Sequence, residues 1–213
     1  MQDTQKNLSP KTEDAVKKSN RRTLIAILAV ALLPIIAAYT MFFSGIGVPQ
    51  NTVNNGILLS KAVKIQDLIS DKDDVLIKAI ADDKLWRLVI PITGACNQDC
   101  QQNLYTTRQV HIRLGEKSTR VERYTVNLAG RTGRQYLESI AADHPRLKNT
   151  SADLSAWQSW IQNAGLTRDI ESQPYYLLVD QEGYAMMYYD AEIHGNLLLK
   201  DIKRALKYSI DYQ

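Results

Sequence analysis

The sequence predicts an α/β domain carried behind one N-terminal transmembrane helix. Three observations lead there. Thr23 to Phe43 runs without a charge, short β-rich runs later alternate with helical segments, and the composition is ordinary for a globular chain at 45% hydrophobic and 23% charged residues. The 213 residues leave room for an anchor and one compact core. The formal net charge is only +3, and the first 22 positions hold six basic residues against three acidic ones, so the remainder is neutral. A neutral remainder lacks the clustered basic face that phosphate backbones require, which argues against nucleic acid as a partner.

The apolar stretch "TLIAILAVALLPIIAAYTMFF" would cover roughly 30 Å as a helix, enough to span a bilayer core. Pro34 is tolerable there, because spanning helices recover a lost backbone bond through local adjustment. The preceding "KKSNRR" favours a cytoplasmic N-terminus, so everything after Ser44 is expected outside the cytoplasm. The run exceeds the usual signal-peptide core and no clean A-x-A site closes it, which points to an uncleaved signal anchor. The expected divisions are a cytoplasmic tail over 1–22, the membrane helix over 23–43, a tether and entry segment over 44–84, and the folded domain over 85–213.

Within 44–84, "SGIGVPQNTVNNGILLSKAVKIQDL" is punctuated by Gly, Pro and Asn, and "DVLIKAIADDKL" fits either a short strand or a helix. "LWRLVIPI" is a bounded apolar run, the form of a buried strand. "QDCQQNLYTTRQVHIRLGE" reads as a helix ending near Gly115, and "RVERYTVNL" as a strand with Val121, Tyr124 and Val126 set against charge. "GRQYLESIAAD" and "ADLSAWQSWIQNAG" read as helices, the second capped by Asp153 and closed by Gly165. "YYLLVD" and "YAMMYYD", joined by "QEG", form a hairpin, and "NLLLKDIKRALKYSI" is a closing amphipathic helix with Leu198, Ile202, Leu206 and Ile210 on one face. The order β-α-β-α-α-β-β-α is the thioredoxin arrangement, so the fold class is α/β: a thioredoxin-like domain preceded by one transmembrane helix.

That arrangement sets a cysteine pair at the first strand-to-helix junction at the active end of the sheet, and "GACNQDC" puts Cys96 and Cys100 there. A helix starting near Asn97 or Gln98 would turn its unpaired N–H groups toward Cys96, favour the thiolate and make it the exposed attacking sulfur. Four-residue spacing sets Cys100 one turn on, within reach of a disulfide or of a shared soft metal ion. An inert staple is the bland alternative, although so short a loop contributes little.

The anchor, the "NNGILL" entry segment, the strand leading into C-x3-C, "LGEKSTRVERYTVNL" and "YYLLVDQEGY" together resemble the Sco/SenC family of membrane-tethered thioredoxin-like proteins that assist assembly of the copper centres of cytochrome c oxidase. The likeness spans roughly residues 50–210, and more narrowly the chain looks like the Sco-related transmembrane proteins of gamma-proteobacterial cytochrome oxidase gene clusters. It implies an inner-membrane, single-pass protein with its C-terminal domain in the periplasm, Cys96 and Cys100 as exchanging thiols or copper ligands, and an oxidase subunit or another copper chaperone as partner. Thioredoxin-like folds also begin the strand facing the cysteines with a proline, often cis, whose backbone meets substrate; Pro174 in "QPYYLL" matches it.

The chain departs from the family pattern in three places. Asn97 and Gln101 follow the cysteines where the family has prolines, and Ser172 stands near the position of its histidine ligand. Copper would need a further donor, for which His111, His144, His194, Met186 and Met187 are the candidates; His111 lies roughly 20 Å along the cysteine helix. Trp157 and Trp160 read as core, and Arg120, Arg123, Arg131 and Arg134 as a solvated face. No phosphate loop, H-E-x-x-H or recognisable Ser-His-Asp set is present. Two functions follow: a thiol-disulfide oxidoreductase or copper chaperone for oxidase assembly, or a non-catalytic assembly subunit stapled by its cysteines.

Overall fold

A computed structural model describes residues 10–45, 53–69, 71–94 and 96–210. Parts of the expected tail and tether, residues 1–9 and 46–52, lie outside the described residues. The chain divides into two compact units, Met1–Thr52 and Val53–Gln213.

Among its described residues the first unit contains one helix, α1 (Pro10–Ser44), which begins before the apolar stretch and continues through Pro34. Its Lys17–Ser44 portion is 28 residues long and contains an 18-residue window at a mean hydropathy of 2.5, long and apolar enough to cross a membrane. Leu24, Ile27, Val30, Leu33 and Ile36 all stand exposed around it, as expected of a helix whose apolar surface meets lipid. The hydroxyls of Thr23 and Thr40 donate to the carbonyls four residues back, so neither is left unpaired. Tyr39 stacks on Phe43 and Phe42 meets Phe43 edge-on at its C-terminal end, where an aromatic belt belongs.

The second unit is a six-stranded sheet covered on both faces by helices. Its strands are β1 (Ile57–Lys64), β2 (Trp86–Ile92), β3 (Val121–Asn127), β4 (Leu147–Ser151), β5 (Tyr175–Val179) and β6 (Tyr184–Asp190), in the order β1-β6-β5-β2-β3-β4. β2, β3 and β4 run parallel, while β5 is antiparallel to β2, and β6 to both β5 and β1. Central β2 is buried along its whole length, so it reads as a continuous apolar run rather than an alternation. Its ladder to β5 runs from Arg87↔Val179 to Val89↔Leu177 and stops before Pro91, which has no N–H to give.

The helices are α2 (Val75–Asp82), α3 (Gln98–Arg113), α4 (Gly130–Ile140), α5 (Leu154–Asn163) and α6 (Gly195–Tyr208). One core layer joins Val89, Tyr124, Leu177 and Val179 of the sheet to Leu76 and Ile80 of α2 and Trp157, Trp160 and Ile161 of α5. The other joins Leu88, Ile90, Tyr176 and Tyr189 to α3, to Leu137 of α4, and to Leu198, Ile202 and Leu206 of α6. Asp153 caps α5 by accepting from the N–H groups of Ser155 and Ala156, and Gly165 follows it at φ +83°.

Five readings from sequence change. Residues 53–84 fold with the domain: Ile57–Lys64 is an edge strand, Val75–Asp82 is a helix, and the compact unit opens at Val53 rather than at 85. β4 adds a strand in "LKNTS", where Thr150 is the residue buried. The hairpin connection covers the four residues 180–183. Ile210 lies past the end of α6 and is 64% exposed. Arg123 is buried, donating to the Leu104 carbonyl and the Thr107 hydroxyl, and Arg120 binds the Leu206 carbonyl and the Ser209 hydroxyl, so only Arg131 and Arg134 remain on a solvated face.

Candidate functional site

β2 ends at Ile92, the backbone turns through Gly94 at φ +62°, and α3 begins at Gln98 with Asn97 as its cap. Asn97 has extended backbone and its Oδ1 accepts from the Cys100 N–H at 2.9 Å, which satisfies one of the helix's orphan donors. Gln101 Nε2 donates to the Cys96 carbonyl at 3.0 Å, closing a polar clasp over the same turn. The two residues standing where the resemblance expects prolines thus hold the loop by side-chain bonds instead. Within that turn Cys96 and Cys100 form a disulfide, with Cα atoms 5.3 Å apart.

Cys96 is 7% exposed and Cys100 5%, and both belong to the core layer that contains Leu104, Leu178 and Tyr176. The sequence expectation of an exposed Cys96 is therefore corrected for the oxidised state. A half-cystine has no thiol proton to solvate and packs as an apolar group.

Pro174 stands just before β5 and is buried, and its peptide bond is trans, as are all bonds among the described residues. Its carbonyl accepts from Asn103 Nδ2 at 3.2 Å, and Asn103 lies one turn beyond Cys100 with 1% exposure. A second tie runs from Asn97 Nδ2 to the Glu171 carbonyl at 3.3 Å. The fold thus brings the segment 171–174 against the first two turns of the cysteine helix, with Glu171, Ser172 and Gln173 exposed beside it. Behind that segment, burial pushes the Tyr175 hydroxyl up to about 12 despite its bond from Trp157, and burial raises Tyr176 further, so both stay neutral.

The remaining candidate ligands do not converge on the sulfurs. His111 Nε2 donates to the Val121 carbonyl at 2.8 Å, and His194 caps α6 by accepting from the Asn196 N–H. His144 lines a cleft with His111. Met187 is core beneath Tyr189, and Ser172 turns its hydroxyl to Asp169. Among the described residues no three His, Cys, Asp or Glu side chains are grouped for a metal ion. In the oxidised pair the two sulfurs are bonded to each other, so copper would require the reduced thiols and a further donor from outside a His, Cys, Asp or Glu group. Asn97, Gln101 and Asn103 are the site residues that sequence reasoning missed. Only Asn97 carried a signal, as a favoured capping residue just before a predicted helix.

A family model described as "Transmembrane-like, thioredoxin-like, C-terminal domain" matches residues 86–209, and one described as "Transmembrane-like, N-terminal domain" matches 14–45. The chain belongs to this family of transmembrane-like, thioredoxin-like proteins. Its N-terminal helix is a single-pass membrane anchor. Solved structures with a similar fold include the copper-bound ScoI of Arabidopsis thaliana, at 14% identity and TM-score 0.47 over 59% of this chain and 86% of that one. BsSco, a Sco-family cytochrome c oxidase assembly protein described for a disulfide switch, aligns at 13% identity and TM-score 0.49 over 75% of this chain and 99% of its own. A DsbF homologue from Corynebacterium diphtheriae aligns at 10% identity and TM-score 0.44, over 59% and 75% respectively. No curated protein matches the chain.

Proposed function

We propose that this protein is a membrane-anchored thiol-disulfide exchange protein acting in cytochrome c oxidase assembly, its domain in the periplasm. The observation that carries the reading is the Cys96–Cys100 disulfide at the junction of β2 and α3, with the segment before β5 laid beside it. In the reduced protein, the N-terminus of α3 favours thiolate at Cys96. That thiolate attacks one sulfur of a partner's disulfide, whose other sulfur leaves as thiolate and takes a proton. Cys100, as thiolate, then attacks Cys96 Sγ and releases the partner as a dithiol, leaving the intramolecular disulfide. A dithiol reductant outside the cytoplasm resets the pair. The exposed backbone at 171–173 and the buried Pro174 behind it form the substrate-facing wall. The oxidase is named on the motif resemblance to the Sco/SenC family. For this chain the closed disulfide, with no His, Cys, Asp or Glu grouped beside it among the described residues, favours exchange over copper carriage.

The periplasmic placement rests on Lys17, Lys18, Arg21 and Arg22 flanking one end of the apolar stretch. Cysteine replacement tests the function. Cells carrying Cys96→Ser with Cys100→Ser should lose cytochrome c oxidase activity in its copper-dependent step, while the anchored protein accumulates normally. Full activity in that strain would instead support a non-catalytic assembly subunit, the reading favoured by the low exposure of both cysteines.

A further inference from the structure

The helix that carries Cys100 in its first turn ends, about 20 Å from that residue, against a cleft of about 400 Å³. Arg108 and His111 of α3, Arg123 of β3, Ser118, and His144 and Arg146 of the α4–β4 connection line it. Three guanidinium groups share this cleft, and among the described residues none of the three is in an ion pair. Glu122, the nearest acid on β3, is engaged by Arg87 and Lys148. Asp143 acts on His144 but is itself exposed.

The positive groups feel one another. Arg108 disfavours the charge on Arg123, Arg108 and Arg123 disfavour it on His144, and Arg123 and Arg146 disfavour it on His111. Crowding cations costs free energy unless a counter-charge arrives. The polar inventory agrees. Arg123 is 2% exposed yet its buried Nε has no hydrogen-bond partner, and neither has the buried Nδ1 of His144. Buried donors and acceptors without partners are rare and ask for an explanation.

We propose that this cleft binds a phosphate group bearing close to two negative charges. A carboxylate would leave at least two of the three arginines uncompensated, whereas a phosphate monoester carries about −1.5 to −2 at neutral pH and offers three acceptor oxygens to forked guanidinium donors. The cleft is larger than a bare phosphate and matches a small phosphorylated molecule or a lipid headgroup. Both sources present the same chemistry.

The experiment uses the full chain in phosphatidylcholine nanodiscs and reads the imidazole NMR signals of its three histidines, with His194, which caps α6, as the internal control. Inorganic phosphate or pyrophosphate should shift His111 and His144 saturably at constant ionic strength and leave His194 unmoved. Arg108→Gln and Arg146→Gln should each weaken that binding about tenfold without lowering the Tm of the free protein. If the free anions do nothing but phosphatidic acid in the nanodisc produces the same shifts, lost in both variants, the ligand is a headgroup. If neither source moves His111 and His144, or both variants respond like the parent, the proposal is overturned.

Discussion

Asn103 donates its side-chain N–H to the carbonyl of Pro174 at 3.2 Å, locking the second turn of the cysteine helix to the start of β5. Asn97 repeats the tie at the helix cap, to the Glu171 carbonyl. The disulfide loop and the wall beside it are therefore one unit, positioned by two asparagine side chains. The cysteine sulfurs gain a fixed neighbour from this arrangement, and the buried Pro174 carbonyl gains a partner it would otherwise lack.

Replacing Asn103 with Ala should thus do two things. Leaving the Pro174 carbonyl buried and unpaired costs about 1–3 kcal/mol, visible as a lower midpoint in chemical denaturation. Freeing the 171–174 segment should also speed reduction of the disulfide by dithiothreitol, measured by thiol labelling against time. A variant that loses stability but keeps the parental reduction rate would mean that this tie supports the fold alone.

The disulfide itself should matter more for chemistry than for folding. A loop of five residues corresponds to about 2 kcal/mol in the chain-entropy account. The reduced full chain should therefore stay folded, with a Tm lower by about 4–8 °C. A collapse of the domain on reduction would assign the cysteines to the structural reading.

The cysteine position was legible in the sequence because a bounded apolar run, a glycine turn and a helical period each leave a local mark. What escaped was marked only by tertiary context. "LKNTS" has no apolar alternation, since β4 is an edge strand with Thr150 as its buried residue, and its parallel pairing to β3 supplies the stability. "NNGILLSKAVK" reads as a tether for the same reason: β1 pairs on one side only and exposes Ile57 and Leu58. Arg123 reads as solvated because charge normally is, yet its carbonyl and hydroxyl partners come from a helix 16 or more residues upstream. Asn103 gave no signal at all, because its partner lies 71 residues away.

The entry segment is anchored through Asp201 of α6, which is 3% exposed. One carboxylate oxygen accepts from the Asn55 and Gly56 backbone N–H groups at 2.8 and 2.9 Å and from the Tyr189 hydroxyl at 3.0 Å. The other accepts from the Asn55 side chain at 2.8 Å. Asp201→Ala would strand these donors and should cost about 3–5 kcal/mol. Gly56→Ala attacks the same junction sterically, because a Cβ there would lie 2.3 Å from the Tyr189 ring. Both variants should unfold at clearly lower denaturant than the parent. A parental midpoint in either would show that the segment can detach from α6 without consequence.

Stability should also fall in mild acid, through His111. Burial is the main cause that lowers its pKa, with the nearby Arg123 and Arg146 charges acting in the same direction against the favourable bond to the Val121 carbonyl. His144 is lowered as well, by burial first and then by Arg123 and Arg108. A lowered histidine binds its proton more readily in the unfolded chain, whose value is about 6.5, so unfolding takes up protons as the pH drops. The stabilisation is complete above that value and is lost progressively as the pH falls through it toward the lower folded values. The exposed carboxylates with lowered values, Asp153 and Asp169, respond only below the ordinary aspartate range, so they do not contribute between pH 7 and 5. Urea midpoints measured across that interval should decline for the parent chain and decline less steeply for His111→Gln, which can still offer an N–H to Val121 but leaves His144 titrating. An equal decline in both would place the proton uptake elsewhere.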